Sequence, residues 1–132
     1  MKEPFWVDAS DALAIHAQLL IRHGGPSGVR DKGLLESTLA RARQQFAYAS
    51  PDIIDMATAY TVGIVQNHPF VDGNKRTGFV VGVLFLELNG FDFTASEAEA
   101  AQAVLELAAG TIAETGFALF LRDHCKRARK RK

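Results

Sequence analysis

The run Phe79-Val80-Val81-Gly82-Val83-Leu84-Phe85-Leu86 is apolar on every side. As a helix it has no face to offer to water, so other elements must bury it. Asn89-Gly90 supplies a left-handed stop behind it. Ahead of it, Pro69 disfavours helical geometry at His68. These signals predict a buried helix over residues 74–88, with the rest of the chain packed around it. The run is far shorter than the roughly 20 residues that span a bilayer, and Arg76 and Glu87 flank it.

A helix N-terminus carries unpaired N–H groups and a partial positive charge, which together make an anion site. The stretch that feeds this one is His68-Pro69-Phe70-Val71-Asp72-Gly73-Asn74-Lys75-Arg76-Thr77-Gly78. Its sequence predicts a loop that presents a phosphate to the helix. Gly78 and Gly82, four apart, share a helix face on which a neighbour can pack closely.

Helical spacing recurs elsewhere. Leu13, Ile15, His16, Leu19 and Leu20 follow the acidic start Asp8-Ala9-Ser10-Asp11 and stop at Gly24-Gly25-Pro26. Asp31 is a candidate N-cap for a second helix carrying Leu34, Leu35, Leu39 and Ala42. Arg43 to Ala49 shows no period and reads as a connector. Ser50-Pro51 reads as the start of a third helix, with Ser as cap and Pro in the first turn. Phe91-Asp92-Phe93 reads as a short extended link. Thr94-x-x-Glu97 and Ser96-x-x-Glu99 are overlapping capping boxes for an Ala-rich helix that stops at Gly110, and Thr111-x-x-Glu114 offers a weaker start for a last one. No alternating strand pattern appears. The expectation is one all-α domain, residues 1–125, of about six or seven helices around helix 74–88.

Residues 126–132 hold six of the 15 basic residues in a chain of zero net charge. Without them the body keeps nine basic and 15 acidic residues, a net of −6. The body is therefore no basic nucleic-acid surface, and only the tail has that composition. The tail reads as a solvated, partly disordered end. A single cysteine, Cys125, excludes an internal disulfide and a cysteine metal cluster. With no signal peptide and no membrane span in view, a cytoplasmic protein is expected.

Within the loop, His68 is placed to take a proton near neutral pH, although a lone histidine is more often structural. Asp72 suits one Mg²⁺, which takes one or two carboxylates plus phosphate oxygens; it suits a turn equally well. Gly73 and Asn74 allow backbone angles that converge N–H groups on an anion. Lys75 and Arg76 stand in the first turn of the helix, where the dipole disfavours cations. An anion between the dipole and these side chains removes that conflict; solvation of the two charges is the alternative. His16 and His23 read as structural.

The stretch His68-Pro69-Phe70-Val71-Asp72-Gly73-Asn74-Lys75-Arg76 resembles the Fic-domain signature, and more narrowly it is similar to the Doc (death-on-curing) toxins of that superfamily. The resemblance continues through His23-Gly24-Gly25, Gly28 to Ser37, Phe46-Ala47-Tyr48 and Phe85 to Gly90. It implies a Fic/Doc-like helical fold. It also implies a catalytic base at His68, Mg²⁺ at Asp72, and phosphates of ATP on Gly73, Asn74, Lys75 and Arg76. Phe46 and Tyr48 would belong to a flap that aligns the target.

Fic proteins usually transfer AMP. Lys75 and Phe79 stand where those enzymes carry a second Gly and a second Arg. Both departures resemble Doc proteins, in which the γ-phosphate faces the acceptor. The implied role is the toxin of a type II toxin–antitoxin system that phosphorylates a threonine of elongation factor Tu and arrests translation. The implied partner is an antitoxin whose C-terminal helix lies in a groove near the site, with Arg30, Arg41 and Arg43 as candidates to flank it. Two alternatives stay open: a nucleotidyl transferase of the same fold, and a non-catalytic nucleotide- or nucleic-acid-binding regulatory module.

Overall fold

Two helices meet backbone to backbone at the centre. In the computed structural model, which describes residues 2–128, α3 (Ile53–Asn67) lies against α4 (Asn74–Leu88). Glycines set the distance. A Cβ on Gly82 would run into Thr61 Oγ1 and sit 3.2 Å from the Ala57 carbonyl; one on Gly78 would sit 3.1 Å from the Thr61 carbonyl. Thr61 uses the space to donate its hydroxyl to the Gly78 carbonyl at 2.8 Å. Helix α4 has the bounds its sequence predicts. The more enclosed helix is its neighbour, since every residue of α3 from Met56 to Val65 is buried. Small residues at Ala57, Ala59 and Gly63 let helices close on it from several sides, and Gly63 faces Thr38 of the preceding helix.

Around this pair stand α1 (Ala9–His23), α2 (Lys32–Tyr48), α5 (Glu97–Ala109) and α6 (Glu114–Asp123). The described residues therefore form six helices, an all-α domain. Its only sheet among those residues is β1 (Phe91–Phe93) antiparallel to β2 (Cys125–Arg127), with Asp92 opposite Lys126. Residues 91–93 are thus a paired strand rather than a bare link. Lys126 and Arg127, which composition alone assigns to the tail, belong to its partner. Residues 129–132 of that tail lie outside the described residues.

Side-chain caps explain most helix starts. Asp8 with Asp11, and Ser96 with Glu99, form reciprocal capping boxes, and Asp31 accepts from the Leu34 N–H. Three sequence expectations shift. Helix α3 starts at Ile53, because Asp52 and Asp55 form a capping box that outcompetes Ser50-Pro51. The expected connector at 43–49 is helical through Tyr48: Arg43, Gln44 and Gln45 are sound helix formers, and an exposed Tyr48 leaves no periodic mark. Helix α6 is preceded by Ala113 with no side-chain cap, so Thr111 does not serve.

Arg122 of α6 reaches the same capping box. It donates to Asp52 at 2.6 Å and to Asp55 at 2.7 Å. Partial burial alone would raise the Asp52 pKa, but the bonds from Arg122 and the Asp55 N–H outweigh it and hold the carboxyl below the usual range. A depressed folded-state pKa gives stability that is present above the unfolded value near 3.8 and is lost as pH falls through the folded one.

Two outcomes test this packing. Gly82→Ala should lower stability by about 1–2 kcal/mol, the cost of overpacking, whereas helix propensity alone would raise it by up to about 1 kcal/mol; thermal unfolding gives the sign. Asp52→Asn keeps a competent cap but loses the charge. It should cost no more than about 1 kcal/mol at pH 7, because the ion pairs are half exposed, and the difference from the parent should shrink in urea titrations as pH falls below 3.8.

Candidate active site

Helix α3 ends on His68, whose backbone is left-handed (φ 52°, ψ 57°). It is the one non-glycine residue with positive φ among the described residues. That geometry costs a non-glycine residue about 1–2 kcal/mol, and the following Pro69 restricts it further. The chain then turns through residues 69–73 and enters α4. Gly73 (φ 80°) stands at the N-cap, and the first intrahelical bond runs from the Thr77 N–H to the Gly73 carbonyl at 3.0 Å.

The turn is held through its backbone. Phe70 is fully buried, stacked on the His16 ring at 4.0 Å. The Asn74 side chain grips Phe70 twice, accepting from its N–H and donating to its carbonyl, each at 3.0 Å. The His16 Nε2–H donates to the Asp72 carbonyl at 2.8 Å. Segment 28–31 runs alongside: Val29 bridges Phe70, the Arg30 N–H donates to the Pro69 carbonyl at 2.7 Å, and the Val71 N–H donates to the Gly28 carbonyl at 3.0 Å. Gly25 (φ 109°) presses on the loop from above, and a Cβ there would lie 2.5 Å from Asp72 Oδ2.

A cavity of about 700 Å³ opens over this turn, a size that accepts a small-molecule ligand. Its polar wall is His68, Asp72 and residues 73–76, with the His23 ring at the side. Its apolar wall comes from Phe79 and Val80 of α4, Leu19 of α1, and Ala101, Val104 and Leu105 of α5. Glu97 at the start of α5 is the second carboxylate on the lining. The sequence reading did not connect α5, Glu97 or His23 to the site. Nothing local marks them, because they arrive there only through packing.

The floor is the N-terminus of α4, and Gly73 offers it no side-chain cap. Helix α6 also lacks a cap, but it carries Glu114 in its first turn, which suits the dipole. Helix α4 carries Lys75 and Arg76 instead. Both are exposed, and neither forms an ion pair among the described residues. The N–H groups of Asn74, Lys75 and Arg76 precede the first intrahelical bond, so three donors, two cations and a helix dipole converge on the cavity. The Asn74 side chain is fully engaged with Phe70, which leaves its N–H for an anion.

Asp72 is exposed, lines the cavity and has no cationic partner among the described residues. No group of three metal-ligating side chains occurs among those residues. One or two carboxylates beside an anion cradle fit Mg²⁺ shared with phosphate oxygens, and do not fit a cation caged by protein alone.

The other expected residues lie elsewhere. Phe46 is half-buried, edge-on to Trp6 at 5.8 Å, and Tyr48 is exposed at the end of α2. Neither lines the cavity. Arg41 pairs with Glu114 at 2.6 Å, and Arg43 lies over the Trp6 ring at 5.1 Å.

Inorganic phosphate should raise the melting temperature of the protein by mass action. Lys75→Gln with Arg76→Gln should remove that rise. In phosphate-free buffer the same pair of changes should stabilise the fold by about 0.3–1 kcal/mol for each charge removed. Undiminished phosphate stabilisation in the double variant would show that the anion sits elsewhere.

Residues 6–86 match the sequence model of the Fic/DOC family, a span that covers the loop and all but the last two residues of α4 and stops short of α5. Over 85 residues, 64% of this chain and 68% of the relative, the sequence is 32% identical to the protein named "Protein kinase doc" of Escherichia phage P1. Over 93 residues, 68% of each, it is 38% identical to "Toxin Doc" of Mycolicibacterium smegmatis. With its helical fold and its His68-to-Arg76 loop at the mouth of the cavity, this chain belongs to the Fic/Doc family.

Proposed function

We propose that the chain is the toxin of a type II toxin–antitoxin system and acts as a protein kinase, moving the γ-phosphate of ATP to a threonine hydroxyl of a translation factor. The observation that carries the reading is the floor of the cavity. An uncapped helix N-terminus, two cations and a carboxylate that form no ion pair among the described residues face the same space as an exposed histidine. Phosphoryl transfer asks mainly for positioning and charge neutralisation, and this floor supplies both. The names of the two relatives, a kinase and a toxin, point the same way.

His68 accepts the proton as the acceptor oxygen bonds to the γ-phosphorus. The bond from that phosphorus to the bridging oxygen breaks, and ADP leaves. Lys75, Arg76 and the N–H groups of residues 74–76 hold the phosphate oxygens. Mg²⁺ on Asp72 would neutralise charge between neighbouring phosphates.

Lys75 fills space that a second glycine would leave free and adds charge for a terminal phosphate. Phe79 packs edge-on to Phe93 at 5.4 Å and gives the cavity an apolar wall where AMP-transferring relatives carry an arginine. Both favour delivery of the γ-phosphate over AMP. Elongation factor Tu is the expected acceptor and a cognate antitoxin the expected partner. Among the described residues no helix is long and apolar enough to cross a membrane.

With purified elongation factor Tu, label from γ-labelled ATP should appear on the factor, and label from α-labelled ATP should not. His68→Ala should slow the transfer by on the order of 10²–10⁴-fold, the usual contribution of a general base, with an unchanged circular dichroism spectrum. Transfer of α-label would establish the nucleotidyl transferase instead. Absence of both labels, with a folded protein, would leave the binding module.

A further inference from the structure

The last turn of α3 has neither of the usual endings. No glycine stands where the backbone turns left-handed, and no basic residue lies in the final turn to meet its carbonyls. His68 occupies the left-handed position instead. Something must hold it there, because isolated chain physics sends a residue before proline to extended geometry.

Arg30 does so from a remote segment. Its Nε–H donates to the His68 carbonyl at 2.7 Å and its Nη2–H donates to the Asn67 carbonyl at 2.8 Å. Its own N–H donates to the next carbonyl, that of Pro69. Three consecutive carbonyls thus bind one residue. The guanidinium forms no ion pair among the described residues, so its charge rests on the negative end of the α3 dipole. Two neighbouring donors on one rigid edge suit two consecutive carbonyls; an ammonium offers a single point. The next residue, Asp31, is the N-cap of α2, which anchors this segment on a helix.

We propose that Arg30 is the positioning residue of the catalytic histidine: its guanidinium acts as the C-cap of α3 and fixes the left-handed backbone that places His68 at the cavity mouth. Arg30 touches neither nucleotide nor acceptor, and it acts through the His68 backbone alone. The kinetic part of this inference rests on the proposed phosphoryl transfer; the backbone part does not.

The test pairs two readouts on Arg30→Ala and Arg30→Lys. The first needs no substrate: the backbone chemical shifts and amide hydrogen exchange of residues 67–71. Arg30→Ala should move the His68 shifts away from left-handed values and speed exchange there, while Ile64 and Val65 stay protected. The second is the transfer reaction. Arg30→Ala should lower kcat by on the order of 10²-fold, as a displaced catalytic group does, with KM for ATP within about two-fold, because the phosphate cradle on α4 is untouched. Millimolar guanidinium should restore part of kcat, which a loss of global stability would not allow. Arg30→Lys keeps the charge and should fall between the two; it serves as the test protein if Arg30→Ala does not fold. Unchanged His68 shifts in the variant overturn the inference whatever the activity. Moved shifts with an unchanged kcat overturn it as well. If the parent protein transfers no phosphate, the proposed reaction fails, and the shifts alone decide whether Arg30 holds His68.

Discussion

The close approach of α3 and α4 is the constraint on which the rest of the molecule depends. At Gly78 and Gly82 the two backbones come within reach of a threonine hydroxyl, and no side chain fits between them. Two helices held this tightly and joined by only six residues leave the connection little freedom. The chain must reverse sharply at His68 and enter α4 at Gly73, and both positions are left-handed. The strained backbone at the proposed base is thus a consequence of how the core is packed.

Strain of this kind persists only when the surroundings over-determine it. Here they do, with carbonyl after carbonyl in the turn claimed by a donor from elsewhere. Arg30 takes those of residues 67–69, Asn74 takes that of Phe70, and His16 takes that of Asp72. With these carbonyls held by the protein, the first N–H groups of α4 are among the donors left free at the turn. The floor is therefore electropositive before any ligand arrives, and Lys75 and Arg76 add to a field that already repels them. Local rules are violated at this place and obeyed at α1, α2, α3 and α5, where the caps are in order, as expected of a site shaped for a ligand.

How far the sequence could be read follows from the range of each interaction. Helix α4 was legible to its ends because its signals are local: an apolar run, Pro69 before it and Asn89-Gly90 behind it. Residues 68–76 stood out as one candidate loop because they are contiguous, and His68 and Asp72 to Arg76 line one cavity. The start of α3 was misplaced by two residues, because Ser50-Pro51 and Asp52-x-x-Asp55 are rival local signals and only packing with Arg122 favours the second. His16 looked structural and is so, but what it supports is the loop itself. Gly25, Arg30 and Glu97 lie 43, 38 and 21 residues from the nearest residue of the loop, and no periodicity reports that kind of proximity. The expected flap at Phe46 and Tyr48 came from resemblance, and here those rings belong to a continuous helix.

The placement of Phe79 has a further consequence, one for the order in which the protein is made. Its ring leans on Phe93 of β1, which pairs with β2 and touches Phe120 of α6. Part of the apolar wall of the cavity belongs to α5. A nascent chain therefore carries residues 68–76, with their histidine and their cations, before it carries α5 and the strand against which Phe79 leans. In order of synthesis the polar loop comes first, and the α5 wall and the β1–β2 pair behind Phe79 follow it.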